Sequence, residues 1–170
     1  AIAQTLQGWA SIPPVTSIDG INQIPPGTTL VINKSGITEI KQNISSYNSD
    51  YSNYTIYELI ERSVSRRMIA DVPVGTYLSG GLDSSIVSFF AKKNTTQPLH
   101  TFSIEFDDSK FDESSEQMEM SKKIGSCHHP IRISYQDLLD NLVSSTTASE
   151  SISFRSAYIP MYLLSKNVQQ

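Results

Sequence analysis

Tyr77-Leu78-Ser79-Gly80-Gly81-Leu82-Asp83-Ser84-Ser85 is a short apolar run that enters a glycine pair and leaves through Asp-Ser-Ser into a second apolar segment, Ile86-Val87-Ser88-Phe89-Phe90. The pattern predicts strand, loop and helix, with the loop shaped to cradle a polyphosphate. Neither Gly80 nor Gly81 has a Cβ, so the backbone can turn through positive φ and bring its N–H groups close to an anion. Ser84 and Ser85 fall at the first turn of the helix, where unpaired N–H groups and the helix dipole favour negative charge. Asp83 would repel bare phosphate, but it fits as a ligand for a Mg²⁺ that neutralises phosphate oxygens. An ordinary strand-to-helix turn would use the same residues for turn formation and capping.

Two other phosphate or nucleophile motifs are excluded by the letters themselves. A Walker-type loop ends in Gly-Lys-Ser/Thr, and no lysine lies between Lys41 and Lys92. A nucleophile elbow needs glycine two residues before its serine, whereas Tyr77 holds that place relative to Ser79. Ser79 therefore reads as a phosphate ligand.

Outward from the loop, elements alternate. Ile56, Leu59, Ile60, Val64 and Met68 recur at helical spacing and form one apolar stripe, with Arg66 and Arg67 at its end, where cations suit the dipole. Beyond it the patterns predict strand 73–78, loop 79–84, helix 85–93, strand 99–106, helix 112–125, strand 130–133 and helix 135–144. Such alternation implies an α/β domain with a parallel sheet covered on both faces and ligands at the carboxyl ends of its strands. Phe102, Ile104 and Phe106 alternate as core residues would. Asp112 and Glu113 read as caps of the helix that follows rather than as metal ligands. Cys127 reads as a half-buried thiol at a helix end, and one Cys with three His gives no paired metal-ligand spacing. Upstream, Lys41 to Asn53 has little periodicity and reads as an interdomain linker. Pro25-Pro26-Gly27 is a rigid turn, and Thr28 to Ile32 is a short strand entering a second turn at Lys34-Ser35-Gly36.

Composition narrows the class. With 170 residues there is room for one domain and part of another. A net charge of −4 gives no electrostatic footprint for nucleic acid. No run of about 18 apolar residues marks a membrane span and no cationic start marks a signal peptide, so the expected setting is cytoplasmic. Accordingly, the Asn-x-Ser/Thr sequons at Asn33, Asn43, Asn53 and Asn94 read as chance.

Ser79-Gly80-Gly81-Leu82-Asp83-Ser84-Ser85 resembles the pyrophosphate loop (PP-loop) of the ATP pyrophosphatases, and its surroundings resemble the synthetase domain of the asparagine synthetase family. Arg67 to Gly75 is similar to that family's approach to the loop. His100 to Phe106, Phe111 to Ser114 and Ile124 to His129 follow a second family block, and Ile159 to Lys166 a third. Ile24 to Gly36 resembles the closing strands of the glutaminase domain that precedes the synthetase domain. The resemblance divides the chain into residues 1–45, a glutaminase-like tail with linker, and residues 46–170, the N-terminal half of an adenine nucleotide α-hydrolase-like ATP-pyrophosphatase domain. It implies an internal piece of a longer ligase, lacking the glutaminase nucleophile and the second Mg²⁺-binding loop, and inactive by itself.

The same resemblance implies the chemistry. ATP and Mg²⁺ would be held by Leu78, Ser79, Gly80, Gly81, Asp83, Ser84, Ser85, Ser103 and Ile104, with Asp83 on the metal and Ser103-Ile104 lining the adenosine pocket. A carboxylate, aspartate first among the choices, would be adenylated and then converted to an amide by ammonia drawn from glutamine, in a protein that could self-associate. Relatives that close β-lactam rings or macrocyclise peptides share a similar loop. Other ATP pyrophosphatases and a non-catalytic nucleotide-binding fragment stand as alternatives. Gln117 and Ser121 depart from the family's small apolar residues, and Ile152 from its usual proline.

Overall fold

The structure is a computed structural model and describes residues 1–41 and 53–169. In chain order its elements are α1 (Ile2–Gly8), β1 (Thr28–Asn33), β2 (Gly36–Lys41), α2 (Ile56–Arg67), β3 (Thr76–Tyr77) and α3 (Leu82–Lys93). They continue with β4 (His100–Phe106), α4 (Ser114–Ile124), β5 (Cys127–Ile133), α5 (Tyr135–Asp140), α6 (Leu142–Ser149) and α7 (Tyr158–Val168). The chain divides into two compact units, Ala1–Tyr51 with Leu142–Ile159 and Ser52–Asn141 with Pro160–Gln170. The linker expected at Lys41 to Asn53 lies outside the described residues except at its two ends, and Lys41 closes β2.

In the first unit, β1 and β2 form an antiparallel hairpin with Asn33 opposite Gly36. This is the short N-terminal β segment expected from the Pro-Pro-Gly turn. Trp9 stacks on Phe154 with centroids 6.1 Å apart, and the Arg155 guanidinium lies 4.1 Å from the Trp9 ring centre.

The second unit holds a three-stranded sheet in the order β3-β4-β5, parallel throughout. The α/β class with a parallel sheet is thus the observed one. α2 opens on a capping box: the Thr55 hydroxyl accepts from the Glu58 N–H while the Glu58 carboxylate accepts from the Thr55 N–H. The Thr55 bonds hold the Glu58 carboxyl below its usual range, first through the backbone N–H and then through the hydroxyl. Of the apolar stripe on α2, Val64 is buried with Phe90, Ala91 and Leu99, and Ile60 and Met68 pack against that cluster. Ile56 is exposed.

Helices α3 and α4 lie on one face of the sheet. Thr76 Oγ1 is 2.8 Å from Ser88 Oγ on α3, and Thr101 Oγ1 is 2.9 Å from Ser126 Oγ, which donates to Ser121 Oγ on α4. On the opposite face the Tyr77 hydroxyl is 3.1 Å from Ser165 Oγ on α7. Burial along β4 differs from the expected pattern. Thr101 and Ser103 are buried while Phe102, Ile104 and Phe106 are half-buried, because the helices meet this sheet face through paired hydroxyls.

Several boundaries move. Only Thr76 and Tyr77 of the expected strand 73–78 pair, and α3 starts at Leu82 rather than Ser85 because Gly81 already has the extended geometry of an N-cap. β5 starts at Cys127, not Pro130; it is an edge strand in which Cys127 N–H bonds Leu99 O, so Pro130 turns its missing N–H away from β4. Cys127 is consequently exposed at the start of a strand, not half-buried at a helix end. The helix expected over 135–144 is split at Asn141 into α5 and α6. Neither Asp112 nor Glu113 caps α4: Glu113 holds the N-cap place without a side-chain bond, at φ −114° and ψ 21°.

Candidate functional site: the glycine loop between β3 and α3

The loop's shape follows from its glycines. Gly80 has φ +83°, and a Cβ there would lie 2.9 Å from Glu116 Cβ and 3.1 Å from the Gln117 nitrogen. Only glycine lets this turn press against the first turn of α4. Gly81 is the N-cap of α3 and has no side chain with which to cap it.

The serines knit the loop together. Ser84 Oγ accepts from the Ser79 N–H (3.2 Å), lies 3.0 Å from Ser79 Oγ and donates to Gly81 O (3.1 Å). The Ser85 N–H and hydroxyl both donate to Gly81 O, at 3.1 and 2.7 Å, which commits this buried side chain to the helix. Among the described residues, the N–H groups of Leu82, Asp83 and Ser84 have no partner. Three main-chain donors therefore stand together at the positive end of α3, an arrangement that favours an anion.

Asp83 sits in that first turn with its side chain exposed. It makes neither a hydrogen bond nor an ion pair among the described residues, so it does not act as a cap. An unpartnered carboxylate beside free N–H donors suits Mg²⁺, which takes one or two protein carboxylates and completes its shell with phosphate and water. Glu116, against Gly80, is a second anion; the Ser115 hydroxyl, donating at 2.6 Å, is the main cause holding its carboxyl below the usual range. Asp83 and Ser84 also line a cavity of about 580 Å³ shared with Arg67, Gly75, Tyr77 and Val87. Arg67, read from sequence as a helix-end charge, thus shares a wall with the loop.

At the carboxyl end of the sheet the β3–β4 ladder ends between Leu78 and Ile104. The buried Leu78 donates its N–H to Phe102 O at 2.9 Å. The β3–β4 pairing then stops, and the next rung, Ile104 N–H to Leu78 C=O, is not made. Ladder parity turns both backbone groups of Ile104 toward the side that β3 has left. The Ile104 carbonyl accepts instead from Gln117 Nε2 at 3.1 Å. Ser103 points its side chain, like Thr101, to the face that α3 and α4 cover, where its Oγ is 3.1 Å from His128 Nε2; His128 Nδ1 is 2.9 Å from Thr101 Oγ1. Burial first, then neighbouring His129, pushes the His128 pKa below its usual 6.5.

The structure thus brings together Leu78, Ser79, Gly80, Gly81, Asp83, Ser84 and the backbone of Ile104. It turns the side chains of Ser85 and Ser103 to structural bonds. Gln117 stood out in the sequence only as a polar residue in an apolar place. Its reach to Ile104 depends on how α4 docks, which no local pattern encodes.

The family model described as asparagine synthase matches residues 55–170. The chain belongs to the asparagine synthase family. Its relatives include asparagine synthetase [glutamine-hydrolyzing] 3 of Bacillus subtilis, 33% identical over 144 residues, or 72% of this chain and 23% of that protein. Asparagine synthetase B [glutamine-hydrolyzing] of Escherichia coli is 28% identical over 76% of this chain and 25% of its own length. Asparagine synthetase [glutamine-hydrolyzing] 1 of Bacillus subtilis is 26% identical over 98% of this chain and 27% of its own length. The chain spans about a quarter of the length of these relatives. Among solved structures, the NMN synthetase from Francisella tularensis aligns with a TM-score of 0.47 at 18% identity, over 69% of this chain and 52% of that one. The asparagine synthase match includes the glycine loop, β4 and α4.

Proposed function

We propose that the protein carrying this chain is an ATP-dependent, amide-forming synthetase, with aspartate as the carboxylate and ammonia derived from glutamine as the nitrogen source. The observation that carries the reading is the set of unpaired N–H groups of Leu82, Asp83 and Ser84 at the start of α3, behind a turn that only glycine can make. The names of the relatives supply the reaction class.

In the proposed reaction a carboxylate oxygen attacks the α-phosphorus of ATP, and the bond to the α,β-bridging oxygen breaks, releasing pyrophosphate. Ammonia then attacks the acyl carbon, loses a proton, and displaces AMP, which keeps the carboxylate oxygen. Negative charge gathers on the leaving pyrophosphate, where preorganised donors are most effective. The free N–H groups at the α3 start, with Ser79, Gly80 and Gly81, would receive it. Asp83 would hold Mg²⁺, which when bound neutralises phosphate charge; the Glu116 anion beside Gly80 makes such a cation more necessary. Leu78 and the Ile104 backbone would border the adenosine, while Ser85 and Ser103 would act by fixing the loop and β4.

Aspartate labelled with ¹⁸O in its side-chain carboxylate tests the order of bonds. The intact protein, given ATP, Mg²⁺ and ammonia, should transfer one labelled oxygen to AMP. Label appearing in inorganic phosphate would instead mean an acyl-phosphate route and would remove the proposed role of the loop.

A further inference from the structure

Gln117 lies where the glycine loop, β4 and α4 meet. It is only 4% exposed, its Nε2 donates to Ile104 O at 3.1 Å, and its Oε1 is enclosed without a hydrogen-bond partner. Its backbone nitrogen is among the atoms against which Gly80 packs. An unpaired buried acceptor is destabilising, and an apolar side chain of similar length would fill the same space without one. Packing therefore does not explain an amide here, whereas its bond to Ile104 does. The Ile104 carbonyl faces the side that β3 has left, so no strand pairs with it.

We propose that Gln117 is a positioning residue for the nucleotide base. Holding the Ile104 carbonyl fixes the backbone on both sides of that residue and leaves the Ile104 N–H beside the Leu78 carbonyl. These form a donor and an acceptor that match the ring nitrogen and the amino group of a 6-aminopurine. A 6-oxopurine, with an acceptor where the amino group would be, would face the Leu78 carbonyl lone pairs. The inference rests on the reading of the protein as an ATP-using synthetase and assigns its base selectivity to a side chain that need not touch the base.

The test compares the wild-type intact protein with Gln117→Met, which keeps the length and removes the donor, and with Gln117→Ala, using ATP and inosine triphosphate. Both variants should raise the KM for ATP by about 3–10-fold, the size of one net hydrogen bond. They should leave kcat unchanged and narrow the preference for ATP over inosine triphosphate. The thermal midpoint of Gln117→Met should hold or rise. A lower midpoint with unchanged KM and base preference would make Gln117 a packing residue and overturn the inference. If the wild-type protein forms no AMP from ATP, the synthetase reading fails before any variant is compared.

Discussion

Asp83 and Gly80 show how one residue's surroundings separate a ligand-binding turn from a structural one. Asp83 stands in the first turn of α3 without capping it, so Asp83→Asn should lower the thermal midpoint only slightly, by the loss of one charge at a helix N-terminus. If its carboxylate holds the cation that stabilises the leaving pyrophosphate, the same change should lower adenylate formation by about 10²–10³-fold, as removal of one such stabiliser typically does. Pyrophosphate release at saturating ATP and Mg²⁺ is the measurement, and a near-wild-type rate would return Asp83 to a turn residue. Gly80→Ala should act on the fold as well. At φ +83° an alanine costs about 1–2 kcal/mol before its Cβ meets Glu116 Cβ at 2.9 Å. For a chain of this size that corresponds to a midpoint lowered by at least about 2–4 °C, read by thermal unfolding. An unchanged midpoint would mean that the turn does not press on α4.

At the scale of elements, β4 and β5 carry the least expected feature, a sheet face buried through hydroxyls and one imidazole. His128 bonds Thr101 and Ser103 there, and its pKa is lowered by burial first and His129 second. Above pH 6.5 the group is neutral whether the chain is folded or not, and no stability is lost. As pH falls through 6.5 the unfolded chain takes the proton first, so stability declines until the lower folded pKa is passed. Urea midpoints measured from pH 7.5 to 5 should fall more steeply for the wild type than for His128→Asn. Equal slopes would contradict a half-buried, neutral His128. The sequence made the loop, α2 and β4 legible because glycine placement and helical spacing are local signals. It did not make legible the polar sheet face, where alternating Phe102, Ile104 and Phe106 suggested the opposite, nor Gln117, whose partner is 13 residues away and across an interface. The Thr55–Glu58 box was written in the letters as Thr-x-x-Glu and marks the start of α2.

Across the whole molecule, family membership and the loop support each other without being the same observation. The asparagine synthase match covers residues 55–170, and the parallel sheet with its glycine loop lies within it. Among the described residues, no helix is long and apolar enough to cross a membrane. In the proposed reaction the loop receives the pyrophosphate of ATP while a carboxylate takes the AMP. Separating the nucleotide products formed by the intact protein from ATP, Mg²⁺, aspartate and ammonia tests this directly. AMP and pyrophosphate in equal amounts, formed only when aspartate is present, are the predicted result; ADP and inorganic phosphate, or turnover indifferent to aspartate, would contradict it.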